Sequence, residues 1–333
     1  MNFKNNSLNK GNKKLCRRAA CKLSSAKFKR VSSFDFSSYN EVKPQHKSSL
    51  NIDFLEWFIG FTEGDGSFHF HSDRPVFVIN QTDLEVLYRI RTTLGFGVVS
   101  TFTQKKKTYA RYTVKDKKGI NQLIALFNGN LHLKKAQNRF ECWVKQCNKI
   151  WEWQILLKSR RNSNLISLKN SWLAGFFDAE GCCCAGFSED KKMALCRRAA
   201  CKLSSAKFNG FRLRLKASID QQFEYPVLQQ IASLLQSPNV IVRNKEKSYF
   251  RVEVTSKISL ALVVNYLDEF KLQGRKKDAF AVWRKLVNLY CDDKHLLANS
   301  RSLKGKIQKV QEMNQIFKQN KDFIFKVQSS FIL

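Results

Sequence analysis

The sequence is poor in acidic residues. Its 333 residues include 27 Asp and Glu against 59 Lys and Arg, which gives a formal net charge of +32. Such an excess of positive charge predicts a polyanionic partner, and nucleic acid is the obvious one. A basic organellar or ribosomal protein is the alternative that charge alone leaves open. Because 43% of the residues are apolar, the chain can still form ordinary hydrophobic cores.

Long apolar segments are also missing. No stretch approaches the roughly 18 uninterrupted apolar residues of a membrane span, so we expect no membrane association. Residues 1–14 lack the apolar core of a secretory signal peptide. The chain is basic and free of acids up to Phe34, so a transit peptide is an open alternative.

The ten cysteines do not form a recognisable pattern of disulfides or zinc ligands. A disulfide framework is typical of small secreted domains rather than of a chain of this length. Three pairs share a spacing of five, at Cys16 and Cys21, Cys142 and Cys147, and Cys196 and Cys201. Zinc sites use tighter pairs in clear loops, so we expect free thiols in a reducing compartment.

Two near-copies of one nonapeptide stand out, FIGFTEGDG at 58–66 and LAGFFDAEG at 173–181. Small residues recur four positions apart in each copy, at Gly60 and Gly64 and at Gly175 and Ala179. On a helix this spacing places them on one face. Since an interior glycine destabilises a helix by about 1 kcal/mol relative to alanine, the stripe indicates a place where two helices approach closely.

The last acid of each copy is Asp65 or Glu180. Each falls in the final helical turn, where the helix dipole disfavours a carboxylate by about 0.3–1 kcal/mol. Two such carboxylates brought together by crossing helices would also repel each other. A divalent cation between them removes both penalties, so the pattern predicts a metal site.

These nonapeptides resemble the motif of the LAGLIDADG homing endonuclease family, specifically its single-chain members with two motifs. Both copies keep the glycine at position three, the acids at six and eight, and the final glycine. The resemblance covers roughly residues 52–292. It implies an α+β fold of two pseudo-symmetric αββαββα units, each with a four-stranded antiparallel sheet, which together form a DNA-binding saddle. It also implies a monomer that acts as a pseudo-dimer.

The resemblance further implies the residues of the active site. The eighth motif residue binds metal beside the scissile phosphates, which corresponds to Asp65 and Glu180, and the preceding Gly64 and Ala179 are expected as further metal ligands. Mg²⁺ is the expected ion, since it prefers hard oxygen ligands and keeps waters. Four polar residues are expected at the edge of the site: Gln81 and Gln221 orient solvent, and Lys134 (with Lys135 close behind) and Lys276 stabilise phosphate charge.

A twisted antiparallel sheet with a basic outer face can read the major groove of DNA. We expect the outward strand residues to contact DNA; they include Tyr112 and the basic residues Arg74, Arg111, Lys115, Arg212, Arg214, Lys216, Arg243, Lys245 and Arg251. Each of these side chains is equally compatible with a solvent-exposed strand residue that makes no contact with DNA.

The organisation of the chain follows from its internal register. We predict a basic disordered arm at 1–48, a first unit at 49–157, a linker at 158–169, a second unit at 170–295 and a basic helical extension at 296–333. Gln81 and Gln221 are 140 residues apart, as are Phe140 and Phe280, whereas the motifs are 115 apart. About 25 additional residues must therefore lie after the second motif.

Part of this insertion repeats an earlier segment. Residues 195–208 are identical to residues 15–28, with an offset of 180 that matches neither register. The segment is either a basic loop that adds phosphate contacts or a tolerated insertion. We favour the tolerated insertion, because lengthening a loop costs little.

The resemblance, together with the charge and the twin acids, implies a site-specific, Mg²⁺-dependent double-strand DNA endonuclease that cuts a long asymmetric target. It also implies that the protein is encoded within an organellar intron, whose mobility it promotes. The alternative is an RNA-binding intron maturase of the same fold without nuclease activity, with the host intron RNA as its partner. The intact Asp65 and Glu180 favour the nuclease. The Asn-, Lys-, Ile- and Phe-rich composition suggests an AT-rich organelle genome, and the dispersed repeat favours a chloroplast.

Overall fold

A computed structural model describes residues 32–104, 107–158, 165–189, 207–208, 211–238, 240–293 and 302–315. The first half contains α1 (Ser37–Val42), α2 (Ile52–Asp65), β1 (Gly66–His71), β2 (Arg74–Gln81), α3 (Leu84–Leu94), β3 (Val98–Gln104), β4 (Lys107–Val114), α4 (Lys117–Phe127) and α5 (Lys134–Trp151). The second half contains α6 (Trp172–Glu180), β5 (Gly181–Glu189), β6 (Lys207–Phe208), β7 (Phe211–Gln222), α7 (Tyr225–Leu234), β8 (Val240–Asn244), β9 (Tyr249–Val254), α8 (Lys257–Glu269) and α9 (Lys276–Cys291). A further helix, α10, spans 302–315.

The two sheets have the same antiparallel topology. Their strand orders are β1-β2-β4-β3 and β5-β7-β9-β8, and the short β6 pairs with β7 in the second sheet. Alternate residues of the central strands, such as Phe77 and Ile79 in β2 or Leu215 and Ala217 in β7, are buried against the helices. The predicted α+β fold of two αββαββα units is therefore confirmed.

Local sequence signals set the boundaries of the helices. Asn51 caps α2 by accepting the backbone N–H of Phe54. Asp83 begins α3 in the same way, and α3 ends at Gly95, whose φ of 84° is the left-handed conformation that glycine adopts readily. The turn between β1 and β2 consists of Ser72 and Asp73, both at positive φ, which suits a two-residue hairpin.

The motif helices α2 and α6 cross with their backbones in contact. A Cβ added at Gly60 would collide with the Trp172 carbonyl, and one added at Gly175 would collide with the Trp57 carbonyl. One turn further on, a Cβ added at Gly64 would collide with the Cβ of Ala179. The small residues of both nonapeptides are therefore what allows the two halves to join.

Both ends of the described chain extend the core further than the sequence predicts. Phe36 and Tyr39, which lie within the predicted disordered arm, are buried, so packed structure begins before residue 48. The rest of the arm, residues 1–31, lies outside the described residues. In α10, Leu303, Ile307 and Val310 are buried, so this part of the predicted extension packs onto the protein.

The inserted segment lies between β5 and β7, in the hairpin where the two registers require it. The last two residues of the repeat within it form β6, in which Phe208 pairs with Phe211. Residues 195–206 of the repeat lie outside the described residues, as do residues 159–164 of the predicted linker. None of the helices that the structure describes has the length and apolar character that crossing a bilayer requires.

The helix crossing predicts the effect of adding one methyl group. Gly60→Ala and Gly175→Ala should each lower the free energy of unfolding by about 3 kcal/mol or more, because the colliding atoms are backbone and cannot move aside. Gly305→Ala is the control, since a Cβ there meets nothing within 4 Å; it should raise stability by up to about 1 kcal/mol. Urea unfolding measures all three, and similar effects at Gly175 and Gly305 would contradict the packing described.

Candidate active site

The two motif acids lie at the ends of the crossing helices. Asp65 is the last residue of α2 and Glu180 the last of α6, and both are half-buried. A Cβ added at Gly64 would lie 3.2 Å from Cγ of Glu180. The side chain of Glu180 therefore lies beside Gly64, the residue that precedes Asp65. The close helix crossing therefore places the ends of the two helices, which carry Asp65 and Glu180, next to each other, where the helices lead into the two sheets.

The two glutamines predicted at this site make different contacts. Nε2 of Gln81 donates a hydrogen bond of 2.6 Å to Oδ2 of Asp65. Gln221 is buried, and its Oε1 accepts the backbone N–H of its neighbour Gln222 at 3.1 Å. Gln81 thus orients the carboxylate of Asp65, whereas the amide oxygen of Gln221 is bound by its own strand.

Lys276 reaches the end of the second motif helix. Its ammonium donates to the carbonyl of Ala179 at 2.9 Å and to that of Phe177 at 3.3 Å. A cation at the C-terminal end of a helix is favoured by the helix dipole. The Ala179 carbonyl, predicted as a metal ligand, is therefore already an acceptor for Lys276.

The sixth residue of each motif is a buried acid that holds the loop before a lysine-bearing helix. Oε1 of Glu63 accepts the backbone N–H groups of His132 and Leu133, both at 2.6 Å. In the second half, Oδ2 of Asp178 accepts those of Gln273 at 2.7 Å and Gly274 at 3.3 Å. The sequence shows these acids as part of the motif, but it gives no sign of what they bind.

The same acids also join the two motif helices. Nε1 of Trp172 donates to Oε2 of Glu63 at 2.6 Å, and Nε1 of Trp57 donates to Oδ2 of Asp178 at 2.9 Å. Burial raises the pKa of Asp178, although the backbone N–H of Gln273 and the indole of Trp57 oppose that rise. Each buried carboxyl thus accepts one indole and two backbone donors. Glu63 divides them between its two oxygens, whereas Asp178 accepts all three at Oδ2 and its buried Oδ1 has no hydrogen-bond partner among the described residues.

This hydrogen-bond pattern identifies the lysine of the first half. His132 and Gln273 are equivalent, as are Leu133 and Gly274, so Lys135 rather than Lys134 occupies the position equivalent to Lys276. Burial and the neighbouring Arg139 lower the pKa of Lys135, while the carboxylates of Glu180 and Glu224 raise it. The predicted preference for Lys134 came from a register that is displaced by one residue here.

The outer face of the first sheet is only partly available for binding. Nε of Arg111 donates to Oδ1 of Asn80 at 2.8 Å, and its guanidinium lies over the ring of Phe102. Tyr112, expected to face outward, is instead buried, and its hydroxyl donates to the carbonyl of Phe96. Neighbouring strand residues point to opposite faces, so Arg111 and Tyr112 cannot both face DNA.

The outer face of the second sheet carries paired charges. Arg251 makes a two-pronged contact with Asp220, at 2.7 and 2.6 Å, and Lys216 contacts Glu253 at 3.0 Å. The other predicted contact residues with described side chains are exposed: Arg74, Lys115, Arg214, Arg243 and Lys245. The side chain of Arg212 lies outside the described part of the structure.

The chemistry available at the helix crossing is that of hard oxygen donors. Two carboxylates and nearby backbone carbonyls suit a divalent cation that keeps waters in its coordination shell. Within the described residues, no group of three or more His, Cys, Asp or Glu side chains is arranged to hold a metal. The donor set is therefore incomplete without water or an anionic ligand.

Comparisons with known proteins agree with this arrangement. The family model for LAGLIDADG endonuclease matches residues 58–147 and 173–287. The chain is 31% identical over 251 residues to a probable intron-encoded endonuclease 4 of Neurospora crassa, covering 73% of this chain but only 41% of that relative. It is 27% identical to an uncharacterized cox1 intron-2 37.2 kDa protein of Schizosaccharomyces pombe, covering 78% of this chain and 73% of that protein.

A solved structure shows the same fold. The I-LtrWI LAGLIDADG homing endonuclease, in a crystal structure bound to target DNA, superimposes with a TM-score of 0.58 at 19% identity. The match covers 78% of this chain and 97% of that chain.

The relatives also correct the predicted location. The similar proteins of Neurospora crassa, Schizosaccharomyces pombe and Debaryomyces hansenii are fungal, and two of them are named for cox1 introns. Fungi have no chloroplasts, and these relatives are mitochondrial intron-encoded proteins. The prediction of a chloroplast is therefore wrong, and the relatives point to the mitochondrion.

The two family matches correspond to the two halves of the fold, and each contains one of the twin nonapeptides. Together they span more than half of the 333 residues. The chain therefore belongs to the LAGLIDADG endonuclease family, as a single chain that carries two copies of the family motif.

Proposed function

We propose that the protein is a site-specific, metal-dependent double-strand DNA endonuclease that cuts the intron-free allele of its host gene and so promotes intron mobility. The observation that carries this proposal is the pair of acids, Asp65 and Glu180, at the close crossing of α2 and α6. Two equivalent carboxylates between two equivalent sheets suit a reaction carried out on two strands of one duplex.

Mg²⁺ is the ion that we propose for this site. Asp65 and Glu180 would hold it, with the carbonyl oxygens of Gly64 and Ala179 as further ligands. When bound, Mg²⁺ lowers the pKa of coordinated water and stabilises charge on the leaving oxygen. The chain itself would orient Asp65 through Gln81, a contact that is already present at 2.6 Å.

The two lysines would act on the substrate rather than on the ion. The ammonium of Lys276 binds the carbonyl of Ala179 at the end of α6, and the carboxylate of Glu180 raises the pKa of Lys135. Both lysines would place positive charge beside the phosphates that react. A fixed cation of this kind stabilises the charge that develops on phosphate oxygens during cleavage. We propose Lys135 for the first half in place of Lys134, and Gln221 as the counterpart of Gln81 in the second half.

DNA would lie across the outer faces of both sheets. The exposed Arg74, Lys115, Arg214, Arg243 and Lys245 supply the charge that phosphates and guanine edges bind. Arg111, Lys216 and Arg251 are held by Asn80, Glu253 and Asp220. Those three side chains would present their remaining donors in a fixed orientation, which favours base recognition over simple phosphate attraction.

Replacing either motif acid by its amide should stop cleavage without preventing binding. We expect Asp65→Asn and Glu180→Gln each to reduce double-strand cleavage by about 10³-fold or more, because the residues would act on metal. Affinity for the intron-free exon-junction duplex should stay within about tenfold of the parent protein, since neither acid contacts bases. Plasmid cleavage in Mg²⁺ and a binding assay in Ca²⁺ measure the two effects.

Glu85→Gln is the matched control for this experiment. Glu85 is an exposed acid in the first turn of α3, so its amide should leave cleavage unchanged. Mg²⁺-dependent cutting at the parent rate by either motif variant would contradict the assignment of the acids.

Binding should depend steeply on salt, because each neutralised phosphate contributes a slope of about −0.9 in log K against log [salt]. Arg243→Ala, on the exposed end of β8, should reduce that slope by about one unit. Lys149→Ala, on the exposed side of α5, should not change it. A preference for the host intron RNA over the duplex would instead support the maturase alternative.

A further inference from the structure

Two carboxylates outside the motifs cross from one half of the protein to the other. Oδ2 of Asp83, in the first half, accepts the backbone N–H of Arg275 in the second half at 2.8 Å. Glu224, in the second half, accepts two backbone N–H groups in the first half, Lys134 at 3.1 Å and Lys135 at 2.7 Å. Both acids are buried.

The two acids occupy the same place in the fold. Asp83 follows the end of β2 by two residues and caps α3, and Glu224 follows the end of β7 by two residues and precedes α7. They are 141 residues apart in sequence, the same separation as Lys135 and Lys276. The contact is thus made twice, in opposite directions, across the junction of the halves.

Each acid completes the anchoring of one lysine-bearing helix. The backbone N–H groups at the start of a helix have no partner within the helix. At α5, Glu63 from the same half binds the two N–H groups before the helix, and Glu224 from the other half binds the next two. At α9, Asp178 binds two N–H groups and Asp83 binds the next.

These helix starts determine where the lysines lie. Lys276 is the first residue of α9 and directly follows Arg275, the residue that Asp83 binds. Lys135 is itself bound by Glu224 through its backbone N–H. Lys276 reaches the second motif helix at the Ala179 carbonyl, and the carboxylate of Glu180 raises the pKa of Lys135. A shift of either helix start would therefore move its ammonium relative to the motif acids.

We infer that Asp83 and Glu224 are positioning residues for the proposed cleavage reaction: each fixes, from the opposite half, the helix start that carries Lys276 or Lys135. The inference rests on the proposed endonuclease function. It means that neither lysine is correctly placed by its own half alone. Cutting of each strand then requires the docked arrangement of both halves.

The use of carboxylates offers a conservative way to disturb these contacts. Glu224 uses one oxygen for Lys134 and the other for Lys135. Asp83 uses Oδ2 for the backbone N–H of Arg275 and Oδ1 for the backbone N–H of Val86, and Oδ1 also lies 3.6 Å from Nε of Arg275. An amide of the same shape has only one accepting oxygen and no charge, so each amide variant loses acceptor capacity at these contacts.

The test measures how fast each strand is cut. Glu224→Gln and Asp83→Asn are compared with the parent protein in single-turnover cleavage of the intron-free duplex, labelled separately on each strand. We expect one strand to be cut about 10- to 100-fold more slowly, because a small displacement of a catalytic group has an effect of this size. The slowed strand should differ between the two variants, so that nicks accumulate in opposite strands, while duplex affinity stays within about threefold.

Asp116→Asn is the matched control. Asp116 caps α4 through a single bond, from the backbone N–H of Gly119 to Oδ2 at 2.7 Å, which an asparagine can replace. This variant should cut both strands at the parent rate. A double-mutant cycle adds a second measurement: Glu224→Gln should slow a Lys135→Ala protein by less than threefold, because the effect of Glu224 is expected to pass through Lys135.

The outcomes separate this inference from the proposed function. If the parent protein leaves the duplex intact, the proposed endonuclease function fails. If the parent cuts, then equal slowing of both strands, unchanged rates, or full additivity with Lys135→Ala would overturn the positioning role. If Glu224→Gln fails to fold, Glu224→Asp replaces it in the test, because aspartate keeps both oxygens but shortens their reach. This variant must show the same strand bias, and equal cleavage of both strands would overturn the inference.

Discussion

The structure depends on the contact between the backbones of the two motif helices. At Gly60 and Gly175 the carbonyl of the opposing helix occupies the space in which any other residue would place a side chain. No side-chain packing could bring the helix axes so close. Helix α2 ends in Asp65 and leads directly into β1, and α6 ends in Glu180 and leads directly into β5. The contact between the helices therefore fixes the acids and both sheets relative to each other.

Buried carboxylates connect the helix crossing to the helix starts that carry the lysines. Glu63 and Asp178 tie the opposing tryptophan to the loop before α5 or α9, and Asp83 and Glu224 connect the same helix starts to the opposite half. Charge-assisted hydrogen bonds to backbone N–H groups are shorter and stronger than neutral ones. A buried acid that lacked such donors would be costly. The catalytic groups that we propose are thus set by interactions that cross the junction repeatedly.

The sequence predicts those features that local periodicity encodes. The motif helices and the twin acids follow from the spacing within each nonapeptide, and the insertion in the second half follows from the difference between the 115- and 140-residue registers. The fold follows from these elements and from the resemblance of the nonapeptides. The prediction that Tyr112 faces outward is wrong, because strand alternation directs it inward once Arg111 faces outward.

The long-range contacts could not be predicted in this way. Asp83 and Glu224 look like ordinary polar residues between a strand and a helix, and only the assembled halves show that each reaches the other. The lysine of the first half could not be placed from the sequence because equivalent residues are 140 apart at Gln81 and Gln221 and at Phe140 and Phe280, but 141 apart at the starts of α5 and α9. Backbone hydrogen bonds reveal that one-residue change, whereas the side-chain pattern conceals it.

The central claim is that one helix crossing presents two acids to two strands of a single duplex. The most direct test maps the cut positions of the parent protein on both labelled strands of the intron-free exon junction. The account predicts one cut in each strand, the two facing each other across a single groove, both dependent on Mg²⁺ and both lost when the metal is chelated. An intact duplex in Mg²⁺, or scattered cuts that persist in chelator, would contradict it.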